Sequence, residues 1–188
     1  MKLLKSLNNN KPMNFLKRLL LLFFIVFLSP TLLLHPAEVN LNTTASVFFS
    51  PKGGCTQAIV DTIGQAKTEI LVQAYSFTSQ PIAQALVNAY KRNIKVEIIL
   101  DKSQLTAKSS MLSCVASAGI PTYIDSRHAI AHNKIMIIDR KTVITGSFNF
   151  TKSAEEKNAE NLIIIPSNEL AKEYIVNFNN HKQHSVKY

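Results

Sequence analysis

The chain has 188 residues, 46% of them hydrophobic and 18% charged, which is enough for one globular domain with a sizeable core and leaves little room for a second. Its formal charge is +9, but five basic residues and no acidic ones lie in the first 34 positions, so the remainder carries only +4. A charge of this size is compatible with nucleic acid or with an anionic membrane surface and selects neither.

The first predicted element is an export leader. Its basic residues precede an unbroken apolar run over 19–28, and a shorter apolar run follows over 32–34. Ten apolar residues fit the core of a signal peptide, whereas a membrane-spanning helix normally needs about 20. The rest of the chain is therefore expected to lie outside the cytoplasm, in the periplasm or in the medium.

Two fates of this leader are compatible with its sequence. The nearest cleavage position, after Ala37, follows a His-Pro pair and is a poor small-residue site, and the better site at Thr43-Thr44-Ala45 lies rather far from the apolar run. An uncleaved anchor through residues 19–34 is therefore the alternative. We predict that residues 1–37 are a signal peptide or a membrane anchor. Residues 38–188 then form the exported domain.

Within that domain, short apolar runs alternate with amphipathic stretches. Apolar residues at helical spacing predict helices over 55–66, from Pro81 to about position 90, over 111–118 with a left-handed cap at Gly119, and over 168–181. Strands are predicted over 69–75, 96–100, 122–124, 132–138, 142–145 and 161–165, with a turn at 139–141. Several of these strands are apolar on both faces and need cover on both sides. The sequence therefore predicts one α/β domain, a mixed β-sheet flanked by helices on both faces.

The two cysteines fall at the start of one predicted helix and inside another. In an oxidising compartment, Cys55 and Cys114 could form a disulfide, and two buried thiols are the alternative. They do not have the spacing of a zinc finger.

The most informative segment begins with His132-Asn133-Lys134. On a strand, positions 132 and 134 point to the same face, so an imidazole and an ammonium emerge together where the predicted strand enters the sheet. Such a pair suits a phosphate group, because the ammonium holds anionic oxygens and the imidazole attacks phosphorus or moves a proton. Asp139 lies an odd number of positions away and is expected on the opposite face, which favours an orienting or structural role.

Further polar residues follow on the next strands. Ser147 and Asn149 share parity after Gly146; both can donate hydrogen bonds to phosphate oxygens, and the glycine lets the backbone approach closely. Glu160 precedes a strand of purely apolar residues, where a carboxylate needs a partner. Pairing with an imidazole N–H would fix the tautomer of a histidine and free its other nitrogen for attack.

In combination, the segments H-x-K-x4-D, G-S-x-N and E-N resemble the signature of the phospholipase D superfamily. The stretches 74–78 and 146–152 are also similar to its small bacterial Nuc-type endonucleases, and the likeness covers about 47–178. The resemblance implies a phospholipase D-like catalytic domain over residues 38–188 that hydrolyses phosphodiester bonds. It assigns catalytic roles to His132, Lys134, Asn149, Glu160 and Asp139, and phosphate binding to Lys134, Ser147 and Asn149.

Full-length members of this superfamily carry two such motifs and bring two histidines to one phosphate, whereas this chain carries one. The resemblance therefore implies a symmetric homodimer with both copies of His132 near the two-fold axis. One histidine is expected to become a phosphohistidine, while the other protonates the leaving oxygen and then activates water. No metal and no cofactor are implied, because two lysines and two asparagines would offset the developing negative charge.

The same catalytic set serves different phosphodiesters. The single motif favours a non-specific endonuclease acting on DNA, with RNA as a further substrate. The basic residues Lys152, Lys157 and the Lys91-Arg92 pair either are solvated surface residues or line a groove for polyanions. The enzymatic alternative is a phospholipase D or cardiolipin hydrolase acting on membrane phospholipids, which gains weight if the leader is an anchor. A non-catalytic envelope protein that binds DNA is the alternative from another class; it would be expected to carry a damaged motif, and the motif here is intact.

The other histidines of the domain have simpler interpretations. His128 and His132 are four residues apart, but the glutamate that a helical zinc motif needs after the first histidine is Ala129 here. His181 and His184 lie in the polar tail and are predicted to be solvated surface residues.

Overall fold

Eight strands form one mixed sheet in the part of the chain that the computed structural model describes, residues 38–188. The predicted leader, with its apolar run and its cleavage position after Ala37, lies outside the described residues. Within 38–188, none of the helices combines the length and the apolar character that crossing a membrane requires.

The strands are β1 (Ser46–Ser50), β2 (Glu69–Ala74), β3 (Lys95–Asp101), β4 (Thr122–Asp125), β5 (Lys134–Ile138), β6 (Thr142–Gly146), β7 (Glu160–Pro166) and β8 (Val186–Lys187). The helices are α1 (Cys55–Gln65), α2 (Gln80–Lys91), α3 (Leu112–Ser117), α4 (Lys152–Glu156) and α5 (Asn168–His184), with a 3₁₀ helix over Lys102–Leu105. In the sheet, the strands lie in the order β1-β7-β6-β5-β2-β3-β4-β8.

One half of the sheet is parallel. β2, β3 and β4 run in the same direction, and the crossovers between them contain α2 and α3, as parallel strands require. Pro81 lies in the first turn of α2, where a missing N–H costs no helical hydrogen bond. Gly119, just past α3, has a φ of 91°, which confirms the predicted left-handed cap.

The other half is antiparallel and begins with the hairpin of β5 and β6. Asp139 and Arg140 at its tip have φ values of 53° and 57°, and the Lys141 N–H closes the turn on the Ile138 carbonyl at 3.0 Å. β7 pairs antiparallel with β6, and β1 pairs antiparallel with β7. Three consecutive strands therefore pair in chain order on this side of the sheet.

Two hydrophobic cores lie on the two faces of the sheet. One is lined by buried residues of the first three helices, among them Ile59, Ile63, Ile82, Leu86 and Val115. On the other, Ala171, Ile175 and Phe178 of α5 pack with Leu71, Ile99 and Ile137 of the sheet. The prediction of a mixed β-sheet flanked by helices on both faces is confirmed.

Some details differ from the sequence-based expectations. β5 begins at Lys134 rather than at position 132, so His132 lies in the segment before the strand. β1, β8 and α4 have no counterpart among the predicted elements. Cys55 is a buried free thiol and Cys114 an exposed one, so the structure contains neither the disulfide nor the pair of buried thiols considered above.

Candidate active site

Four strand ends meet at one end of the sheet, which we call the site end. β2 and β6 finish there, and β5 and β7 begin there, because β5 runs antiparallel to β2 and β6 and because β7 runs antiparallel to β6. The register places Lys134 opposite Ala74, and Gly146 opposite Leu162. Continued by two residues, the β5–β6 register also brings Lys134 opposite Gly146. Strand pairing thus unites the three motif segments.

The segment before β5 is held on both sides of His132. The Tyr75 N–H donates to the Asn133 carbonyl at 2.9 Å, and the Ala131 N–H donates to the carboxylate of Asp101 at 2.8 Å. Asp101 is 2% exposed, so the second anchor lies in the interior, whereas His132 between the two anchors is exposed. A fixed backbone with an exposed ring lets an imidazole reach a substrate in a defined orientation.

Lys134 is the first residue of β5 and is 8% exposed. Its ammonium donates a hydrogen bond of 2.8 Å to the main-chain carbonyl of His132 and lies 5.3 Å from the centroid of the Tyr75 ring. Burial lowers the pKa of Lys134 below its usual 10.5, and the negative charge of Glu160 partly opposes that shift. A largely desolvated ammonium beside an exposed imidazole suits a phosphate oxygen, because charge-assisted hydrogen bonds are strongest where water is excluded.

Tyr75 is a site residue that the motif did not reveal. Its ring centroid lies 4.7 Å from that of the His132 imidazole, and the same ring faces the Lys134 ammonium. Tyr75 directly follows β2, so the pairing that places Lys134 also places this ring. In the sequence, only the position of Tyr75 at the end of a predicted strand indicated that it could lie at the site. The ring restricts the orientations open to His132.

Gly146 and Ser147 form a tight turn against the start of β7. Gly146 has a φ of 139°, and a Cβ at this position would lie 2.3 Å from the carbonyl oxygen of Asn161, so a larger residue does not fit without a shift of the backbone. The Ser147 Oγ accepts the Asn161 N–H at 3.0 Å. That hydroxyl keeps its own hydrogen, which it can donate to a phosphate oxygen.

Asn149 is half-buried two residues further along. Its Oδ1 is buried and has no hydrogen-bond partner within the described residues. A buried amide oxygen without a hydrogen-bond donor is costly and uncommon in native proteins. A bound ligand or a second chain would remove this cost.

Glu160 begins β7 and is also half-buried. Its Oε1 accepts a hydrogen bond of 3.0 Å from Asn158, and its charge acts on Lys134. Among the hydrogen bonds of residues 38–188, none joins Glu160 to the His132 imidazole, so the pairing expected from the sequence is not formed in the single chain. Glu160 nevertheless lies close enough to the site to affect its electrostatics.

Asp139 lies at the other end of β5, roughly 20 Å along the strand from His132. Its carboxylate accepts the N–H groups of Lys67, Thr68 and Glu69 at 2.7 to 3.1 Å. Burial raises the pKa of Asp139, but these donors more than offset that effect and hold it below its usual range. The residue thus anchors the turn into β2 and does not contact the other motif residues.

His181 and His184 are not solvated surface residues, and here the sequence-based prediction is wrong. The His181 and His184 side chains are 15% and 18% exposed, and both contact the buried carboxylate of Asp125 together with His128. Burial raises the pKa of Asp125, but hydrogen bonds from the three imidazoles outweigh it and keep the group ionised. This cluster is the one group of side chains in residues 38–188 whose ligand atoms are grouped closely enough to hold a metal ion.

Comparisons with known proteins identify the family of this chain. The family described as "Cardiolipin synthase, PLD-like domain" matches residues 59–182. A protein of Rickettsia felis named phospholipase D is 48% identical over 142 residues, which cover 76% of this chain and 71% of that protein. The mitochondrial cardiolipin hydrolase of Xenopus laevis is 29% identical over 119 residues, 63% of this chain and 56% of that protein.

Solved structures with a similar fold belong to the same family. Nuc from Salmonella typhimurium, described as a phospholipase D family member, superimposes with a TM-score of 0.74 at 38% identity, covering 77% of this chain and 97% of that one. NucT from Helicobacter pylori gives a TM-score of 0.72 at 25% identity, covering 77% of this chain and 99% of that one. Fold, site and comparisons together define a phosphodiester hydrolase. The chain belongs to the phospholipase D superfamily and to its small Nuc-type branch.

Proposed function

We propose that the protein is a non-specific endonuclease that cleaves DNA, and RNA as well, without a metal ion in the chemical step. Two copies of the chain form one active site. The observation that carries this proposal is a single exposed imidazole, His132, beside the buried ammonium of Lys134 at the site end.

A second histidine must come from a second copy of the chain. Residues 38–188 contain four histidines, and three of them contact Asp125, which leaves His132. A symmetric dimer with the site ends facing each other would place both copies of His132 at one phosphate. The unpartnered buried Oδ1 of Asn149 supports this arrangement, because a hydrogen-bond donor on a facing chain would give it a partner.

The reaction then proceeds in two displacements. One ring nitrogen of the first His132 attacks phosphorus, and the bond from phosphorus to the leaving oxygen breaks as the partner's His132, in its protonated form, donates a proton to that oxygen. Water next attacks the phosphohistidine while the now neutral partner imidazole removes its proton, which releases the first histidine and a phosphate monoester. Both histidines return to their starting states.

In the proposed reaction, side chains stabilise the negative charge that develops on the phosphate. The Lys134 ammonium of each copy, together with Ser147 and Asn149, would bind the non-bridging oxygens on which negative charge accumulates. Tyr75 and the anchored segment 131–133 would keep the attacking ring aligned. This arrangement fills the role that a divalent cation has in other nucleases.

Nucleic acid is the substrate favoured by the single motif and by the similarity to Nuc over nearly the whole of that chain. Lys152 at the start of α4 has a side chain that is 79% exposed, and Lys157 is exposed as well, so both are available to a polyanion. Export to the periplasm or the medium through residues 1–37, with residues 19–34 as the anchor if they are retained, would give the enzyme access to extracellular DNA.

Membrane phospholipid is the second candidate. The observation in its favour is that relatives with 46% to 48% identity are named phospholipase D, and more distant ones mitochondrial cardiolipin hydrolase. The chemistry at phosphorus would be identical, because both substrates present a phosphodiester.

The test is a substrate panel in excess EDTA. The full chain is incubated with plasmid, single-stranded DNA, RNA and cardiolipin-containing vesicles, at a temperature well below its thermal midpoint under the same conditions, beside His132→Asn. We expect cleavage of the nucleic acids by the wild type and none by the variant, with equal circular dichroism. Cleavage of vesicles alone would overturn the choice of substrate, and a requirement for added metal at a temperature where the fold is intact would overturn the mechanism.

A further inference from the structure

Four ligand side chains from three segments converge at a second place on the same end of the sheet. Asp125 is the last residue of β4, His128 lies in the loop that follows, and His181 and His184 lie in the last turn of α5. One ligand atom from each of the four lies within 4.8 Å of the other three. Two strands separate β4 from β5, so the cluster is roughly 14 Å across the sheet from Lys134.

The contacts of this cluster exceed what hydrogen bonding alone can satisfy. Nδ1 of His128, Nδ1 of His181 and Nε2 of His184 lie 2.9, 2.8 and 3.2 Å from the same carboxylate oxygen, Oδ2 of Asp125. One carboxylate oxygen offers about two lone-pair directions, so three ring N–H groups cannot all be well directed at it. Neutral imidazoles that turn lone pairs inward would instead repel the oxygen. A cation between the four atoms resolves both difficulties.

The dimensions fit a small transition-metal ion. Zinc binds imidazole nitrogen and carboxylate oxygen at about 2.0–2.2 Å, so neighbouring ligand atoms of a tetrahedral site are about 3.4 Å apart. The three nitrogen–oxygen separations of the cluster lie within about 0.6 Å of that value. Three imidazoles and one carboxylate are also a ligand set that zinc accepts.

The surroundings are those of a prepared site. Asp125 is fully buried, and its second oxygen, Oδ1, accepts the N–H of Arg127 at 3.1 Å and that of His128 at 3.5 Å, which fixes the carboxylate with Oδ2 toward the imidazoles. His181 and His184 are largely buried, while the His128 side chain is 45% exposed and leaves a path for entry. The sequence signal was a pair of short spacings, Asp125-x2-His128 and His181-x2-His184.

We propose that Asp125, His128, His181 and His184 bind one Zn²⁺ ion as a closed structural site. Four protein ligands leave no open position for substrate or water, in contrast to a catalytic zinc. The ion joins the end of α5 to the edge of the sheet and fixes the loop after β4. His128 lies only four positions before His132, but Ala131 and Asn133 have their own anchors on Asp101 and Tyr75, so loss of the ion is expected to lower stability and to leave the chemical step in place.

The test measures metal binding directly on the full chain. The protein is stripped with EDTA, dialysed into metal-free buffer and titrated with Zn²⁺ against a competing chromophoric indicator, and with Co²⁺ to read the visible absorption of tetrahedral cobalt. We expect one equivalent of each metal and a thermal midpoint that rises with Zn²⁺. His181→Ala should weaken zinc binding by at least roughly 100-fold and abolish the tetrahedral cobalt spectrum.

Two further variants make the result decisive. His132→Asn is the matched control, because it removes the active-site imidazole and should retain one equivalent of zinc while turnover is lost. His128→Ala covers the case in which His181→Ala does not fold, since its side chain is the most exposed of the three. Absence of stoichiometric binding in the wild type, or binding that survives both His128→Ala and His181→Ala, would overturn the zinc site without bearing on the nuclease.

Discussion

The buried carboxylate of Asp101 accepts a hydrogen bond from the main-chain N–H of Ala131, the residue that precedes the exposed His132. Its other oxygen accepts the Ser103 N–H at 2.9 Å. Burial raises the pKa of Asp101, but the hydrogen bonds from Ser103 and Ala131 outweigh it and hold the pKa below its usual range. A buried anion on β3 therefore positions the segment that carries His132, the proposed nucleophile.

Asp101→Asn should lower kcat more than it changes KM. The substitution keeps the shape of the side chain but turns an NH₂ group toward the N–H of either Ser103 or Ala131. The lost hydrogen bond costs about 1–3 kcal/mol of stability and loosens the segment before β5. Misalignment of the attacking ring is expected to reduce kcat by roughly 10- to 100-fold. Steady-state kinetics on DNA measure both parameters, with the exposed Asp61→Asn as control. Wild-type kcat in a folded Asp101→Asn protein would contradict this positioning role.

Glu160→Gln should shift the alkaline limb of the pH–rate profile to lower pH. In the proposed mechanism, activity requires both the protonated His132 of one copy and the Lys134 ammonium, so the alkaline limb includes the loss of the Lys134 proton, whose pKa burial already lowers below 10.5. Glu160 raises that pKa, so its neutralisation lowers it further. The measurement is kcat/KM against pH, with Glu156→Gln as the matched exposed control. A loss of rate without movement of the limb would mean that Glu160 acts on another group.

Asp139→Asn should destabilise the protein at neutral pH and have less effect in acid. The pKa of Asp139 is depressed in the folded state, so its contribution is fully present above the unfolded-chain pKa of about 3.9 and is lost as pH falls through the lower folded-state pKa. The loss at pH 7 is expected to be about 1–3 kcal/mol. Urea unfolding at pH 7 and near pH 3 measures the difference, with Asp61→Asn as control. An equal loss at both pH values would refute this electrostatic account.

Mixed dimers test the shared site. If both copies of His132 act on one phosphate, wild-type chains unfolded and refolded with an equal amount of His132→Asn should form about a quarter fully wild-type dimers, and activity per wild-type chain should fall to about half. Refolding with Lys172→Ala, an exposed substitution whose own dimers should be active, should instead leave the activity per total chain at the wild-type value. Undiminished activity per wild-type chain with excess His132→Asn would show that one histidine suffices.

Local patterns in the sequence were enough to predict most of the framework. The apolar spacing of Ile59 and Ile63 predicts the buried face of α1, and the doubly apolar strands predict a sheet covered on both sides. β1 was missed because its five residues pair with β7, more than 100 positions away, and carry little pattern of their own. Its strand character depends on a tertiary partner.

Some residues of the candidate site could likewise be predicted from local sequence, and others depend on tertiary contacts. His132, Lys134, Ser147 and Asn149 are found by motif and are brought together by strand pairing. Tyr75 and Asp101 act through the backbone or through one ring contact, which residue type alone does not reveal. The burial of His181 and His184 was not predicted because their partner Asp125 is 56 and 59 residues away. The polar sequence around the two histidines gave no sign of this contact.

The positions of β1 and β8 affect how the protein should be handled. The chain enters the sheet at one edge and leaves it at the other, seven strand spacings or roughly 33 Å away. A polyhistidine tag fused after Tyr188 would begin close to His184, where its imidazoles would compete with the proposed ligands His181 and His184 for any bound ion. A purification handle at the carboxyl terminus of this protein should therefore contain no histidine.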